Sequence, residues 1–327
     1  MSDYNNLRKI LANNETSIIM PNCDLESTDL SELTFDEVNF EGANLKGANF
    51  KYITIKKANF NNATLDGVDF TGAKIEEASF VGANINDSIF NGAIFEYSST
   101  KIEGSYFDFT YQGVNFNEAI INDTDFINAN IDSASFYNTI LSNVNFDSAH
   151  LRTVTFISAK LERVNFFRCY IPEAEFSSSF LNETIFNHVV LEFTQFINLE
   201  FNNIGFTNCA ITDIKNCKFN QCQFDNVYFS YNDMKNLGFN RCNFFNAKFV
   251  ESNLVKTVFN KSILTKTTFD DATLVNTNFN YCVLDKVSFI KAKFVNCFGK
   301  KVAFDEINAE EENLNLIESW RESSYNN

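Results

Sequence analysis

The chain has 327 residues, 42 of them acidic against 26 basic, for a formal net charge of −16. Thirty-eight Phe stand beside a single Trp, and only two Pro and two His occur. That composition speaks against a histidine-rich metal centre and against a uniformly basic surface for nucleic acid.

Residues 1–20 read as an N-terminal cap. Tyr4, Leu7, Ile10 and Leu11 follow helical spacing behind a cap at Asp3. From residue 21 a five-residue beat takes over, and internal repeats of this kind fix an architecture before anything else. A large apolar residue recurs at Leu25, Leu30, Phe35, Phe40, Leu45, Phe50, Ile55 and Phe60, with a small or β-branched one two positions earlier, as at Val38, Ala43, Ala48 and Ala58. Positions two apart on an extended segment share a face. The other three residues of each five then point outward and turn the chain, and repetition winds a coil around an apolar interior. Thirty of the 38 Phe sit at the central position of a pentad. Both Pro, Pro21 and Pro172, are rare exceptions in a chain whose N–H groups must feed a ladder.

Gly42, Gly47, Gly67, Gly72, Gly82 and Gly92 fall two residues after a central position, where a turn needing positive φ would place them. Later coils lack these glycines, which predicts a different turn there. The beat breaks across 97–113, an aromatic interval with Tyr97, Tyr106, Phe109 and Tyr111 that offers an interaction loop or a plain insertion. It resumes at Phe116. Between 116 and 211 Phe recurs every tenth residue with Ile or Leu at almost every position between, so a four-sided coil of twenty residues stacks like on like. A second slip falls at 212–218, after which the beat runs to about residue 302. Residues 303–327 are expected to form a C-terminal capping helix, with Asn308 as its cap, Glu310, Glu311 and Glu312 in its first turn, and Leu314, Leu316, Ile317 and Trp320 as a wide apolar face.

Ala43-Asn44-Leu45, Ala48-Asn49-Phe50, Ala58-Asn59-Phe60, Ala83-Asn84-Ile85 and Ala129-Asn130-Ile131 match the motif Ala-(Asp/Asn)-Leu-x-x. The chain therefore resembles the pentapeptide-repeat family over roughly residues 21–298. The resemblance implies an all-β solenoid, a right-handed quadrilateral β-helix with capping helices at both ends. It also brings two functional expectations. Some members protect bacterial type II topoisomerases by imitating duplex DNA, and dimerisation through a C-terminal helix is familiar in the family. Leu314, Leu316, Ile317 and Trp320 would form that dimer interface, with part of the face, Trp320 included, uncovered in a monomer; the competing account is that the helix folds flat and buries the whole face itself.

Cys23, Cys169, Cys209, Cys217, Cys222, Cys242, Cys282 and Cys297 all occupy the small position, without a Cys-x-x-Cys pair. They read as small buried hydrophobes, with no metal, cofactor or disulfide. Reduced thiols and the lack of an apolar signal stretch point to the cytoplasm, and no membrane segment is expected. His150 and His188 fall at outward positions with no nucleophile or carboxylate at a motif spacing, and no phosphate-cradling glycine loop occurs, so no enzyme is expected.

Charge is uneven. Residues 1–213 hold 29 acidic and 12 basic side chains, and residues 214–302 hold 6 and 13. The acidic part supports a DNA mimic acting on gyrase or topoisomerase IV. Against that, Asp36-Glu37, Lys56-Lys57 and Glu76-Glu77 stack as alternating layers, and Asp132 stacks beside Arg152. The basic residues ring the coils instead of forming a stripe, so direct nucleic-acid binding is not expected. Outer apolar columns are predicted at Tyr137, Ile157 and Ile197, and at Ile127 and Phe167. A non-enzymatic protein-interaction scaffold is the reading preferred on these grounds. A topoisomerase-directed DNA mimic and an effector delivered into a host cell are its alternatives.

Overall fold

Burial follows the pentad. In the Ala43–Phe50 stretch Ala43, Leu45, Ala48 and Phe50 are buried while the residues between them reach the surface. That is the outcome expected when two of every five side chains are apolar and the backbone must turn at the other three. The computed structural model describes residues 2–96, 98–101, 109–211, 213–215 and 217–321. It is a parallel β-solenoid of about thirteen turns with a short helix at each end. By compactness the chain divides into two units, Met1–Glu175 and Phe176–Asn327.

In the N-terminal unit the ladder pairs each residue with the one twenty positions later. Thr34 stands opposite Thr54 and Val38 opposite Ala58, and Ile120 stands opposite Ile140. Four sides of five residues are thus set by backbone hydrogen bonds. Like-on-like columns follow. Phe70 stacks on Phe90 at 4.8 Å between ring centroids, and neighbouring columns such as Phe80 and Phe90 meet edge to face at 6.2 Å. Both arrangements suit the ring quadrupole.

The first slip is an insertion. Asn84 pairs with Ile120 and Ile89 with Asp125, a step of 36 in place of 20. The extra residues include an antiparallel hairpin whose strands, Ser98–Lys101 and Phe109–Gln112, run in register from Ser98 opposite Gln112 to Lys101 opposite Phe109. The core columns continue past it, with Phe80 stacked on Phe116 at 4.9 Å. Gly113 lies where the chain rejoins the coil. A Cβ there would meet the Ser133 carbonyl and come within 2.8 Å of the Ala134 nitrogen.

The second slip, in the C-terminal unit, is a deletion. Phe201 pairs with Phe219 and Phe206 with Phe224, a step of eighteen, and the step returns to twenty at Phe224 opposite Phe244. Ile214 fills the shortened side and is buried.

Turns without glycine keep its positive φ, but those at Asp123, Asn143 and Arg163 lack the closing bond of the glycine turns, so the expectation of a different type holds for these and fails for others. Glu118, Asn128 and Ser133 have φ of 61°, 55° and 61°, close to the 66° of Gly42. The same closing bond is made at each of these sites. Ala119 N donates to Phe116 O at 3.1 Å as Ala43 N does to Phe40 O at 3.0 Å. Two hydrogen-bonded coils on either side hold the left-handed residue, so the cost of its Cβ is met by the ladder.

The ends differ from the expected boundaries. Helix α1 covers Ser2–Ala12, and the ladder already begins at Ser17, paired with Glu37, ahead of residue 21. Asp3 lies within α1, where its carboxylate accepts the Asp24 N–H at 2.9 Å and ties helix to coil. Leu7 is buried beneath α1 and Tyr4 is exposed. At the other end the ladder extends to Ala303–Asp305, opposite Val283–Asp285, and helix α2 covers only Glu311–Glu318. Its N-cap is Glu310 and not Asn308. The Glu310 carboxylate accepts the Lys291 N–H at 2.7 Å, and Asn313 donates to Ala292 O at 2.8 Å.

Candidate functional site: the outer faces

Phe, Leu and Ile fill the interior, and Ser, Thr and Cys at the small positions donate to carbonyls of the preceding coil. Thr139 Oγ1 donates to Phe116 O at 2.8 Å, Ser252 Oγ to Phe229 O at 2.7 Å, and Cys169 Sγ to Phe146 O at 2.8 Å. The cysteines take the same place as Ser and Thr in these columns. All eight are free and buried. Burial pushes the Cys209 and Cys282 thiols up to about 12, which keeps them protonated and unreactive at neutral pH. Cys222 and Cys242, one coil apart, are unbridged, and burial followed by the neighbouring Cys222 raises the Cys242 thiol.

Among the described residues no group of three His, Cys, Asp or Glu is placed to hold a metal ion. His150 and His188 are both exposed. His150 lies 5.8 Å from the Tyr170 ring, and His188 Nε2 is 3.0 Å from Asn208 Nδ2. Among the described residues no helix is long and apolar enough to cross a membrane.

Of the proposed interaction loop, Tyr97 and Tyr106 lie outside the described residues, and Phe109 and Tyr111 fall on the second hairpin strand. The C-terminal helix departs from its expected role. Trp320 is only 5% exposed, stacked over Phe279 at 5.6 Å and Phe294 at 6.2 Å, and Ile317 is fully buried. Leu314 and Leu316 are half-buried. What faces outward is Glu311, Glu312, Asn315 and Glu318. The apolar face is therefore consumed by the last coil of its own chain, and an uncovered Trp320 in the monomer is a mistaken expectation. The indole closes the column that runs from Phe219 through Phe239 and Phe259 to Phe279.

Alternating charge layers are present. Lys56 Nζ sits 3.0 Å from Asp36 Oδ1 and holds that carboxyl below its usual range. Arg152 differs, since its guanidinium pairs with Glu173 at 3.3 Å while Asp132 accepts the Arg152 backbone N–H at 2.8 Å.

The predicted apolar columns are mostly covered. Ile127, Ile157, Phe167 and Ile197 are half-buried, with Arg168 lying 4.7 Å over the Phe167 ring, and only Tyr137 is exposed. The strongest apolar exposure is elsewhere. Phe193 and Tyr231 are each 74% exposed, and Val190 and Tyr228 are also exposed. They occur on one side of the C-terminal unit, where Val190 and Tyr228 line a shallow groove of about 660 Å³ with Leu191, Ala210 and Asn226, and Phe193 and Tyr231 lie on the same side outside its lining. The sequence carries a signal for this site. Phe193 and Tyr231 occupy the left-handed turn position, φ 56° and 65°, which mostly belongs to Gly, Asn, Ser and charged residues and is otherwise aromatic at Tyr52, His188 and Tyr281.

The family model for the pentapeptide repeat region matches residues 16–91, 109–176 and 212–289. The chain belongs to the pentapeptide-repeat family. No curated protein matches it. Among solved structures it is similar to the pentapeptide repeat protein Rfr23 from the cyanobacterium Cyanothece 51142, at 17% identity and a TM-score of 0.29, over 46% of this chain and 91% of that one. It is also similar to QnrB1, a plasmid-mediated fluoroquinolone resistance protein, at 16% identity and a TM-score of 0.26, over 62% of this chain and 91% of that one. HetL, a pentapeptide repeat protein involved in heterocyst differentiation regulation from the cyanobacterium Nostoc sp. strain PCC 7120, matches at 11% identity and a TM-score of 0.24, over 93% and 94% of the two chains.

Proposed function

We propose that this pentapeptide-repeat protein is a non-enzymatic protein-interaction scaffold. The observation that carries the reading is the exposed Phe193, Tyr231, Tyr228 and Val190 cluster on the side that bears the groove, in a protein whose other large apolar side chains are mostly spent on the interior. Clustered exposed aromatics are the ordinary mark of a docking surface. Affinity capture with the full-length protein and with Phe193→Ser/Tyr231→Ser tests it. A specific partner retained by the parent and lost by the variant supports the scaffold, and equal capture by both, or none by either, defeats this surface.

A second reading is a DNA mimic acting on a type II topoisomerase, favoured by the 29 acidic against 12 basic residues in 1–213. A gyrase supercoiling assay with and without a quinolone separates the two. Inhibition or drug protection by the purified protein selects the mimic, and no effect removes it.

A further inference from the structure

From Lys218 onward one side of the C-terminal unit carries no carboxylate, after Glu183 and Glu200 on the same side in the two coils before it. Its ladder runs from Lys218 opposite Gly238 to Val258, Asn278 and Phe298 in successive coils. Across those coils the outward positions between Lys218 and Lys301 hold Lys218, Arg241, Lys261, Lys300 and Lys301, and the rest are Asn, Gln, Gly, Val, Tyr and Phe. The basic residues still ring the coils, with Lys235, Lys248, Lys266 and Lys293 on the other sides, and what distinguishes this side is its lack of acid. Arg241 and Lys261 share a column, and Lys218 and Lys300 lie on the same side.

Lys218, Arg241, Lys261 and Lys300 are exposed and make no ion pair among the described residues. On other sides some cations do pair, as at Lys56 with Asp36, Lys235 with Asp233 and Lys286 with Glu306. What stands out in a chain of net charge −16 is a side with several exposed cations and no carboxylate over successive coils. Two exposed rings lie among them, Tyr281 and Phe298, with Lys261 Nζ 5.9 Å from the Tyr281 centroid. Four ladder steps make this side about 19 Å long.

We propose that this side docks a short acidic segment of a partner protein, whose carboxylates meet the four unpaired cations and whose apolar side chains meet Tyr281 and Phe298. The inference rests on the scaffold reading and names the chemistry of a partner. Charge complementarity selects an anion. The adjoining side, with Asp225, Asp285 and Asp305 at its outward positions, selects a short one. A long polyanion would run onto those carboxylates, whereas a segment confined to about 19 Å escapes most of their repulsion at a Debye length of about 8 Å.

The test is fluorescence anisotropy on the full-length protein with three probes. These are a short Asp/Glu-rich peptide containing Phe, its Asn/Gln counterpart, and a single-stranded oligonucleotide of matched charge, each at about 0.15 M salt. The acidic peptide is expected to bind and the amide peptide is not. Arg241→Glu/Lys261→Glu should weaken binding about tenfold or more, while Lys248→Glu/Lys266→Glu, the same charge change on other sides, stays within about twofold. Tyr281→Ser/Phe298→Ser should weaken it about threefold or more. Equal loss in both charge-reversal variants, no peptide binding, or an oligonucleotide that binds as tightly as the peptide overturns the proposal, the last making this a nucleic-acid surface. Failure here with partner capture through Phe193 and Tyr231 intact leaves the scaffold standing. Failure of that capture with peptide binding intact removes the groove and not this side.

Discussion

A side chain of Ser, Thr or Cys at the small position does two jobs, filling a methyl-sized space and donating to a carbonyl in the preceding coil. Thr139→Val keeps the volume and removes the bond to Phe116 O, while the Thr139 N–H keeps its 3.3 Å bond to Phe136 O. The expected cost in a urea titration is about 0.5–1.5 kcal/mol. The thiols add a pH dependence. For Cys282 the unfolded value is 9.0 and the folded one about 12, so above about pH 9 the unfolded state binds fewer protons than the folded. Its contribution is whole below pH 9 and declines as pH climbs toward 12. Urea midpoints should fall over that window, and less steeply in Cys282→Ala. At neutral pH a thiol reagent should label few of the eight cysteines in native protein and all of them after denaturation.

The hairpin insertion and the C-terminal helix contribute to stability in opposite ways. Removing residues 97–112 joins Glu96 to Gly113 and restores an unbroken pentad from Phe95 to Phe116, with Gly at the turn position. The core columns already run past the insertion, so this deletion should change stability by no more than about 1 kcal/mol, measured by urea or thermal melting. Trp320 is the reverse. It closes the last coil over Phe279 and Phe294, and Trp320→Ala should cost about 3–5 kcal/mol and expose the terminal Phe layer. If the variant melts like the parent, the helix is not the lid.

Repetition makes each unit quasi-one-dimensional, with coupling confined to neighbouring coils. Phe60 and Phe80 stack at 4.9 Å and 10° between ring planes. A double-mutant cycle of Phe60→Leu and Phe80→Leu should show an interaction of about 0.5–1.5 kcal/mol. Phe60→Leu with Phe156→Leu, several coils apart in the same unit, should be additive within about 0.5 kcal/mol. Equal coupling in both pairs would mean that strain spreads through the whole unit.

The pentad alone determined which side chains are inside, that four sides make a coil, and that Phe stacks on Phe, because each depends only on spacing along the chain. It also located both slips, as breaks in the beat at 97–113 and 212–218. Whether a slip adds or removes residues from a coil was decided by pairing, in steps of 36 and eighteen. The turns at Glu118 and Ser133 were misjudged from sequence, since residue preference argued for glycine while the ladder on either side dictated the conformation. Trp320 was misplaced for a similar reason. A helical wheel reports how wide an apolar face is, and only packing against Phe279 and Phe294 tells what covers it. The Phe193 and Tyr231 cluster and the carboxylate-free side join residues from successive coils, so they exist only where winding the chain brings distant pentads together.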